Sequence, residues 1–294
     1  MPAYNAGQTI IKALKSIIAQ SFKDFVIVVV DDASTDNTWE SIQSVADPRI
    51  LSIRLTENQG NLAIRNHVFK HSQSAYITFQ DADDWSHPER LQKLHTILSE
   101  QADLALCGSW CFNVFDTEQQ LKRYPISHTE ILENIAYGAT NNYCSASAMF
   151  RREVLESVGY YDELFNDIGS GDIDWQTRVT EQFTTANLPE ALYYYRQHSE
   201  SFSKSRKHPL SHLSADIAYF CHLLRKNGII YSKDEIIEFI KAQAGITNAP
   251  VKDRAWQRML LVLLYRLSPE KLRNSVVARR RKKQTQKWIR AYNQ

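Results

Sequence analysis

Cysteine is scarce in this 294-residue chain. The four present, Cys107, Cys111, Cys144 and Cys221, are too few and too scattered for a disulfide framework. No second Cys or His pair at ligand spacing accompanies Cys107 and Cys111, so buried structural thiols are expected in place of a zinc site. That usage suits a reducing cytoplasm. Long hydrophobic runs are missing too. The longest, MLLVLLY at 259–265, is far too short to span a bilayer, and no signal-peptide pattern is visible. Neither Gly-rich fingerprint, G-x-G-x-x-G or G-x-x-x-x-G-K-[ST], occurs, which disfavours dinucleotide oxidoreductases and P-loop enzymes. Internal repeats and low-complexity linkers are absent as well.

The net charge of +2 conceals a division. Residues 1–205 carry 16 Lys and Arg against 27 Asp and Glu, a net of −11, whereas residues 206–294 carry 19 against 6, a net of +13. This asymmetry predicts two parts, 1–205 and a basic helical 206–294, meeting near SFSKSRKHP at 201–209. Nucleic acid is not expected as a partner, because the acidic half would oppose it.

The first hundred residues alternate between helical and strand patterns. Helices are expected in IIKALKSIIAQ, WESIQSV, NLAIRNHVFKHS and PERLQKLHTILSE, and strands in FVIVVV, ILSIRL and AYITFQ. Ser34 or Thr35 is placed to cap the second helix. The alternation predicts an α/β fold with a mostly parallel sheet, and FVIVVV reads as a strand covered on both faces. Further on, LALCGSWCFNVF, CSASAMF and ALYYYRQH read as strands, and GDIDWQTRVTEQF as a helix.

Acidic clusters follow two of these strands directly: Asp31 and Asp32 after FVIVVV, and Asp81, Asp83 and Asp84 after AYITFQ. Ligands of open α/β sheets sit at the carboxyl ends of the strands. Gathering five carboxylates there is costly without a positive partner, and hard oxygen ligands suit Mg²⁺ or Mn²⁺ carrying a nucleoside diphosphate. The plainer alternative is that these residues cap helices and solvate loops.

The run PAYNAGQTIIKALKSIIAQSFKDFVIVVVDDASTDNT, then ENQGNLAIRN, then ITFQDADDWSHPERL resembles family 2 glycosyltransferases of the GT-A fold. The likeness is nearly continuous from residue 2 to about 100. It continues more loosely through FRREVLESVGYYDE, GDIDWQTR and YYYRQHSESFS to about 203, leaving the basic tail outside. The resemblance implies an inverting transfer of a sugar, hexosyl or N-acetylhexosaminyl, from a nucleotide-activated donor to an acceptor hydroxyl. It implies a UDP-sugar, a glycan or lipid-linked acceptor, and a surface glycan such as capsule, O-antigen or exopolysaccharide as product.

By the same resemblance Pro2, Ala3, Tyr4 and Asn5, with Asp32 and its neighbour Asp31, form the nucleoside pocket. Asp81 and Asp83, with Ala82 between them, are the DXD pair: Asp81 near the ribose and metal shell, Asp83 a direct metal ligand. Gly60 and Arg65 flank the nucleotide, although Arg65 also reads as a surface or capping arginine. Asp172 is the candidate base and Asp174 its rival; relatives have Glu-Asp here, whereas this chain has Gly171-Asp172, with Arg178 at the family spacing. His198 stands where some relatives supply a further metal ligand or diphosphate contact. Trp85 and Trp175 are candidates for stacking on sugar rings, with core packing as the default.

Relatives carry a buried strand before PAYN, so the sheet is expected to be short of its first strand. ARRRKK at 278–283, with Lys287, Trp288 and Arg290, suits docking on anionic lipid at the inner face of the membrane or on an acidic partner, or is a solvated helix end. The alternatives to a glycosyltransferase are a sugar-nucleotide nucleotidyltransferase and a degenerate binding or scaffold protein. The first lacks its phosphate-gripping loop in PAYNAGQT; the second is favoured only by Gly171.

Overall fold

The computed structural model describes residues 1–116, 118–136, 138–197, 211, 214–228, 231–232 and 236. The β-branched run becomes β2 (Ile27–Asp31), flanked by β1 (Pro2–Ala3) and β3 (Ile50–Arg54), both parallel to it. Burial on both faces is why β2 lacks polar alternation. The register sets Ala3 beside Asp31 and Asp31 beside Arg54, so the three strands end along one edge. After β1, α1 (Ile10–Ile18) buries Ile10, Ala13, Leu14 and Ile17 as one stripe at helical spacing. After β2 comes α2 (Thr38–Gln43), which neither Ser34 nor Thr35 caps. Asn37 holds the cap position without a side-chain bond, and Asp36 Oδ1 accepts the Thr38 N–H at 3.0 Å.

The helix α3 (Asn61–His71) leads to a second sheet made of β4 (Tyr76–Thr78), β5 (Trp85–Ser86), β6 (Leu104–Phe115), β7 (Glu118–Lys122), β8 (Met149–Arg151) and β9 (Thr184–Arg196). Its order is β4-β8-β6-β9-β5, with β7 paired to β6. The long central pair β6 and β9 is parallel, and the other pairings are antiparallel. Parallel pairing therefore describes the first sheet and the centre of the second, while short returning strands make antiparallel edges. Two local expectations change. Residues 144–150 are not one strand: a 3-10 turn at Ser145–Ser147 precedes β8, closed by Ser147 Oγ donating to Cys144 O at 2.8 Å. Pro189 lies inside β9, where the register steps from Leu188 opposite Ser109 to Ala191 opposite Trp110, since proline offers no N–H to the ladder.

Among the described residues two larger cores hold the layers together, with a smaller cluster around Cys111, Tyr124 and Tyr193. In one, α4 (Arg90–Glu100) inserts Leu91, Leu94 and Leu98 among Leu14, Val29, Leu104 and Met149, joining the first sheet to the second. The other lies beneath α5 (His128–Ala136), α6 (Glu153–Val158), α7 (Phe165–Ile168) and α8 (Gly171–Gln182). There Phe69, Phe79, Phe150, Tyr161 and the fully buried Trp175 pack together, Phe150 and Trp175 edge to face at 4.8 Å. Trp175 is thus a core residue, and its indole N–H is satisfied by Gly159 O at 2.9 Å. Trp85 stacks on Tyr194 at 5.4 Å.

The helix α9 (Ser214–Lys226) enters the second core through Ile217, Cys221 and Leu224. Residues 214–226 therefore share a core with the chain before the charge boundary. ARRRKK and the residues around it lie outside the described residues. Among the described residues no helix is long and apolar enough to cross a membrane. All four cysteines are buried free thiols.

Candidate active site

The loops after β1 and β2 are joined by polar contacts. Asn5 takes a left-handed φ of 49°, which asparagine tolerates better than most residues. Its N–H then donates to Ser34 Oγ at 2.9 Å, and its Oδ1 accepts the Thr35 N–H at 2.9 Å. Beyond it, Ala6 N–H donates to Thr38 Oγ1 at 2.7 Å and Gly7 N–H to Asp36 Oδ2 at 3.0 Å. Ser34 and Thr35 are engaged in this junction, which is why they do not cap α2. Pro2 and Ala3 form β1, and Tyr4 stands exposed beside them.

Asp31 and Asp32 are both buried. Asp31 accepts the Ser34 N–H at 3.1 Å and pairs with Arg54 Nε at 3.3 Å. Asp32 accepts the N–H groups of Gln59 at 2.7 Å and Gly60 at 2.9 Å, fixing the loop that enters α3. Gly60 has a φ of 84°, and a Cβ there would lie 2.4 Å from Asn166 Nδ2. That close approach is used: Asn166 Nδ2 donates to Gln59 O at 2.9 Å, and its Oδ1 accepts the Leu62 N–H at 3.2 Å. Asn166 carried no signal in the sequence, since its partners lie about a hundred residues away.

The loop after β4 holds the other carboxylates. Asp81 Oδ1 accepts from Arg65 Nη2 at 2.7 Å, and its backbone N–H donates to the Tyr193 hydroxyl at 3.1 Å. Arg65 is 7% exposed, so it is a buried ion-pair partner and not a surface arginine. Burial pushes the Asp81 carboxyl up, Arg65 pulls it back, and Asp83 pushes it up again, the net direction being upward. Although the Asp81 side chain keeps 30% of its surface open to the cleft, protein surrounds the group closely enough for desolvation to lead. Asp84 is buried and accepts the Arg196 N–H at 2.8 Å; burial, then Asp81 and Asp83, raise it well above the ordinary range. Asp83 lies between them, partly exposed, and Ala82 turns its methyl into the core. Arg90, fully buried, braces this loop from below. Its guanidinium donates to Thr78 Oγ1, Phe79 O, Ala146 O and Ser147 O at 3.0 to 3.2 Å, and burial lowers its pKa to about 10.

Arg65, Asp81 and Asp172 line one cleft of about 560 Å³. Its walls come from α3, the segment Gly169–Gly171 before and at the start of α8, and the β6–β7 hairpin with Tyr124 after it. Asp172 sits in the first turn of α8, its Oδ1 accepting the Ile173 N–H at 3.0 Å. Asp174 is placed differently. It is 3% exposed, pairs with Arg178 Nε at 2.9 Å and Arg225 Nη1 at 3.0 Å, and is not part of the cleft lining. Arg178 also donates to Val158 O at 2.6 Å and Tyr160 O at 2.8 Å, so it fastens α8 to the end of α6. The absence of Glu at 171 has a steric reason: a Cβ there would lie 2.4 Å from Leu62 Cδ1 and 3.0 Å from Phe165 Cβ.

His198 lies outside the described residues. Among the described residues no three His, Cys, Asp or Glu side chains gather to hold a metal ion. A divalent cation nevertheless suits the residues present. Mg²⁺ and Mn²⁺ take one or two carboxylates and complete their shells with water and substrate phosphates, and the mutual push among Asp81, Asp83 and Asp84 marks a place where added positive charge is stabilising.

The model of glycosyl transferase family 2 matches residues 1–159, more than half of the chain. The chain belongs to that family. It is a glycosyltransferase with the GT-A fold, and the nucleotidyltransferase alternative falls away. Among curated relatives, the UDP-Glc:α-D-GlcNAc-diphosphoundecaprenol β-1,3-glucosyltransferase WfaP of Escherichia coli is 27% identical over 206 residues, covering 69% of this chain and 78% of WfaP. Among solved structures, S. aureus TarS 1–349 in complex with UDP-GlcNAc superposes with a TM-score of 0.65 at 19% identity, over 98% of this enzyme and 87% of that chain. A mannosyltransferase from Pyrobaculum calidifontis, solved with GDP-Man and Mn²⁺, superposes with a TM-score of 0.53 at 18% identity, over 90% and 83% of the two chains.

Proposed function

We propose that this family 2 enzyme moves a sugar from a UDP-sugar to a hydroxyl of a glycan or lipid-linked acceptor, with inversion, in the building of a surface polysaccharide. The observation that carries the reading is the shared cleft: Asp172 lines the same cavity as the Asp81–Arg65 pair, next to the loop that bears Asp83. The donor assignment is supported by WfaP, whose name specifies UDP-Glc and a diphosphoundecaprenol-linked acceptor. Residues 1–205 carry catalysis, residues 214–226 pack onto them, and the basic stretch ARRRKK with Lys287, Trp288 and Arg290 docks the enzyme on anionic lipid at the cytoplasmic face of the membrane or on an acidic partner.

In this reading the edge built from Pro2 to Asn5, Asp31 and Asp32 receives the nucleoside. Asp32 holds the Gln59–Gly60 loop in place there, and its carboxylate oxygens retain acceptor capacity for a base N–H. Asp83 and Asp81 would hold Mg²⁺ or Mn²⁺, which, when bound, offsets charge growing on the departing diphosphate. Arg65 orients Asp81 and opposes the upward push of burial on its carboxyl. Asp172 takes the proton of the attacking hydroxyl as that oxygen bonds to the anomeric carbon and the nucleoside diphosphate leaves from the opposite face. Asp174, held by two arginines, is set aside as the base.

Proton NMR of the product tests the inversion. An α-linked nucleotide sugar is expected to yield a β-glycoside, and an α-glycoside would overturn the single-displacement mechanism.

A further inference from the structure

Among the described residues two cations line the cleft, Arg65 and Lys122, and they differ in how they are used. Arg65 is neutralised by Asp81 at 2.7 Å. Lys122, the last residue of β7, does not appear among the ion pairs of the described residues. It pairs across the hairpin with Cys111, and because side chains alternate along β6, Asn113 shares that face; all three line the cleft. The Lys122 ammonium lies 5.2 Å from the centre of the Tyr124 ring, which lends it apolar support without cancelling its charge. Lys122 also helps lower the pKa of the Cys111 thiol beside it, and among the described residues no carboxylate lies within ion-pair distance, so its charge is open to the cleft. Among the described residues Asp172 is not an ion-pair partner of Lys122, and in the donor loop Asp81 is engaged with Arg65 and Asp84 with the Arg196 N–H.

We propose that Lys122 selects for an acceptor that carries a phosphate or diphosphate beside its sugar. This deepens the reading of the cleft as the place where donor and acceptor meet, and rests on it. An ammonium is a point-charge phosphate binder on a flexible stem, able to hold such a group while the acceptor hydroxyl reaches Asp172. Asn113 adds an amide donor on the same wall.

Calorimetric titration of the full chain tests this with three probes: octyl diphosphate, inorganic pyrophosphate and octyl glucoside. Lys122→Gln is expected to weaken octyl diphosphate binding about tenfold, the size of one partly hydrated charge-assisted hydrogen bond, with Lys122→Arg restoring it and octyl glucoside unaffected. A loss that persists with the donor site saturated by nucleoside diphosphate supports the assignment, shared with pyrophosphate if the headgroup suffices and confined to octyl diphosphate if a lipid-borne group is needed; a loss that nucleoside diphosphate abolishes places Lys122 on the donor and overturns it. Equal octyl diphosphate affinity in wild type and Lys122→Gln overturns it, as does an equal loss for all three probes. Release of nucleoside diphosphate from nucleotide sugars by the wild type is scored separately, so a failure of the glycosyltransfer reading is seen apart from a failure of the Lys122 assignment.

Discussion

Asp172→Asn is expected to lower sugar transfer about 10²- to 10⁴-fold while leaving nucleotide-sugar affinity unchanged, the signature of a lost general base. The substitution keeps the shape of the side chain and its capacity to accept the Ile173 N–H, the hydrogen bond it makes within α8. It removes the ability to take a proton, together with a negative charge that is a minor influence on Arg65 and Asp81. The fold should be indifferent, since Asp172 is partly exposed and contributes to neither core. This separates it from Asp174, which joins α8 to α9 through Arg178 and Arg225, so that losses there are losses of structure. The measurement is a pair: steady-state transfer, and donor affinity by calorimetry on the same preparation. Transfer by Asp172→Asn at the wild-type rate would place the base elsewhere.

Asp83→Ala is expected to abolish divalent-cation-dependent turnover, at a modest cost to stability. The three carboxylates of the loop have different duties. Asp84 is buried against the Arg196 N–H, and Asp81 is committed to Arg65, so replacing either disturbs internal contacts as well as chemistry. Asp83 is more open to solvent than Asp84, and its charge is one of those raising both neighbours. Its removal relieves repulsion on Asp81 and Asp84, which offsets part of the contacts the side chain loses, and takes away a hard oxygen ligand from the cation. Titrating Mg²⁺ or Mn²⁺ against nucleoside diphosphate release checks this. The variant should show no metal-dependent rate, and a wild-type response would sink the metal assignment.

Much of this site could be read before any coordinates, because its parts are local. FVIVVV followed by two aspartates, and AYITFQ followed by DADD, each join a strand to its loop within a dozen residues. What could not be read depends on distant partners. Arg225 lies 51 residues beyond Asp174, and with Arg178 it holds that carboxylate in an ion pair outside the cleft lining. Gly171 looked like a departure from pattern until Leu62 and Phe165 were seen to fill the space of a side chain. Ser34 and Thr35 have the chemistry of helix caps, and only the left-handed Asn5 on another strand draws them away. Arg90, at the start of α4, is fully buried beneath the donor loop, and its four acceptors lie on residues 78–79 and 146–147. Tertiary packing decides such cases, and local pattern carries no record of it.

The most direct measurement is a donor screen: the full chain, Mg²⁺ or Mn²⁺, a panel of nucleotide sugars, and release of nucleoside diphosphate as the signal. Release from a UDP-sugar that chelation abolishes and restored cation recovers is the expected result. Release that is indifferent to chelation, or none from any nucleotide sugar, would contradict the assignment of this cleft.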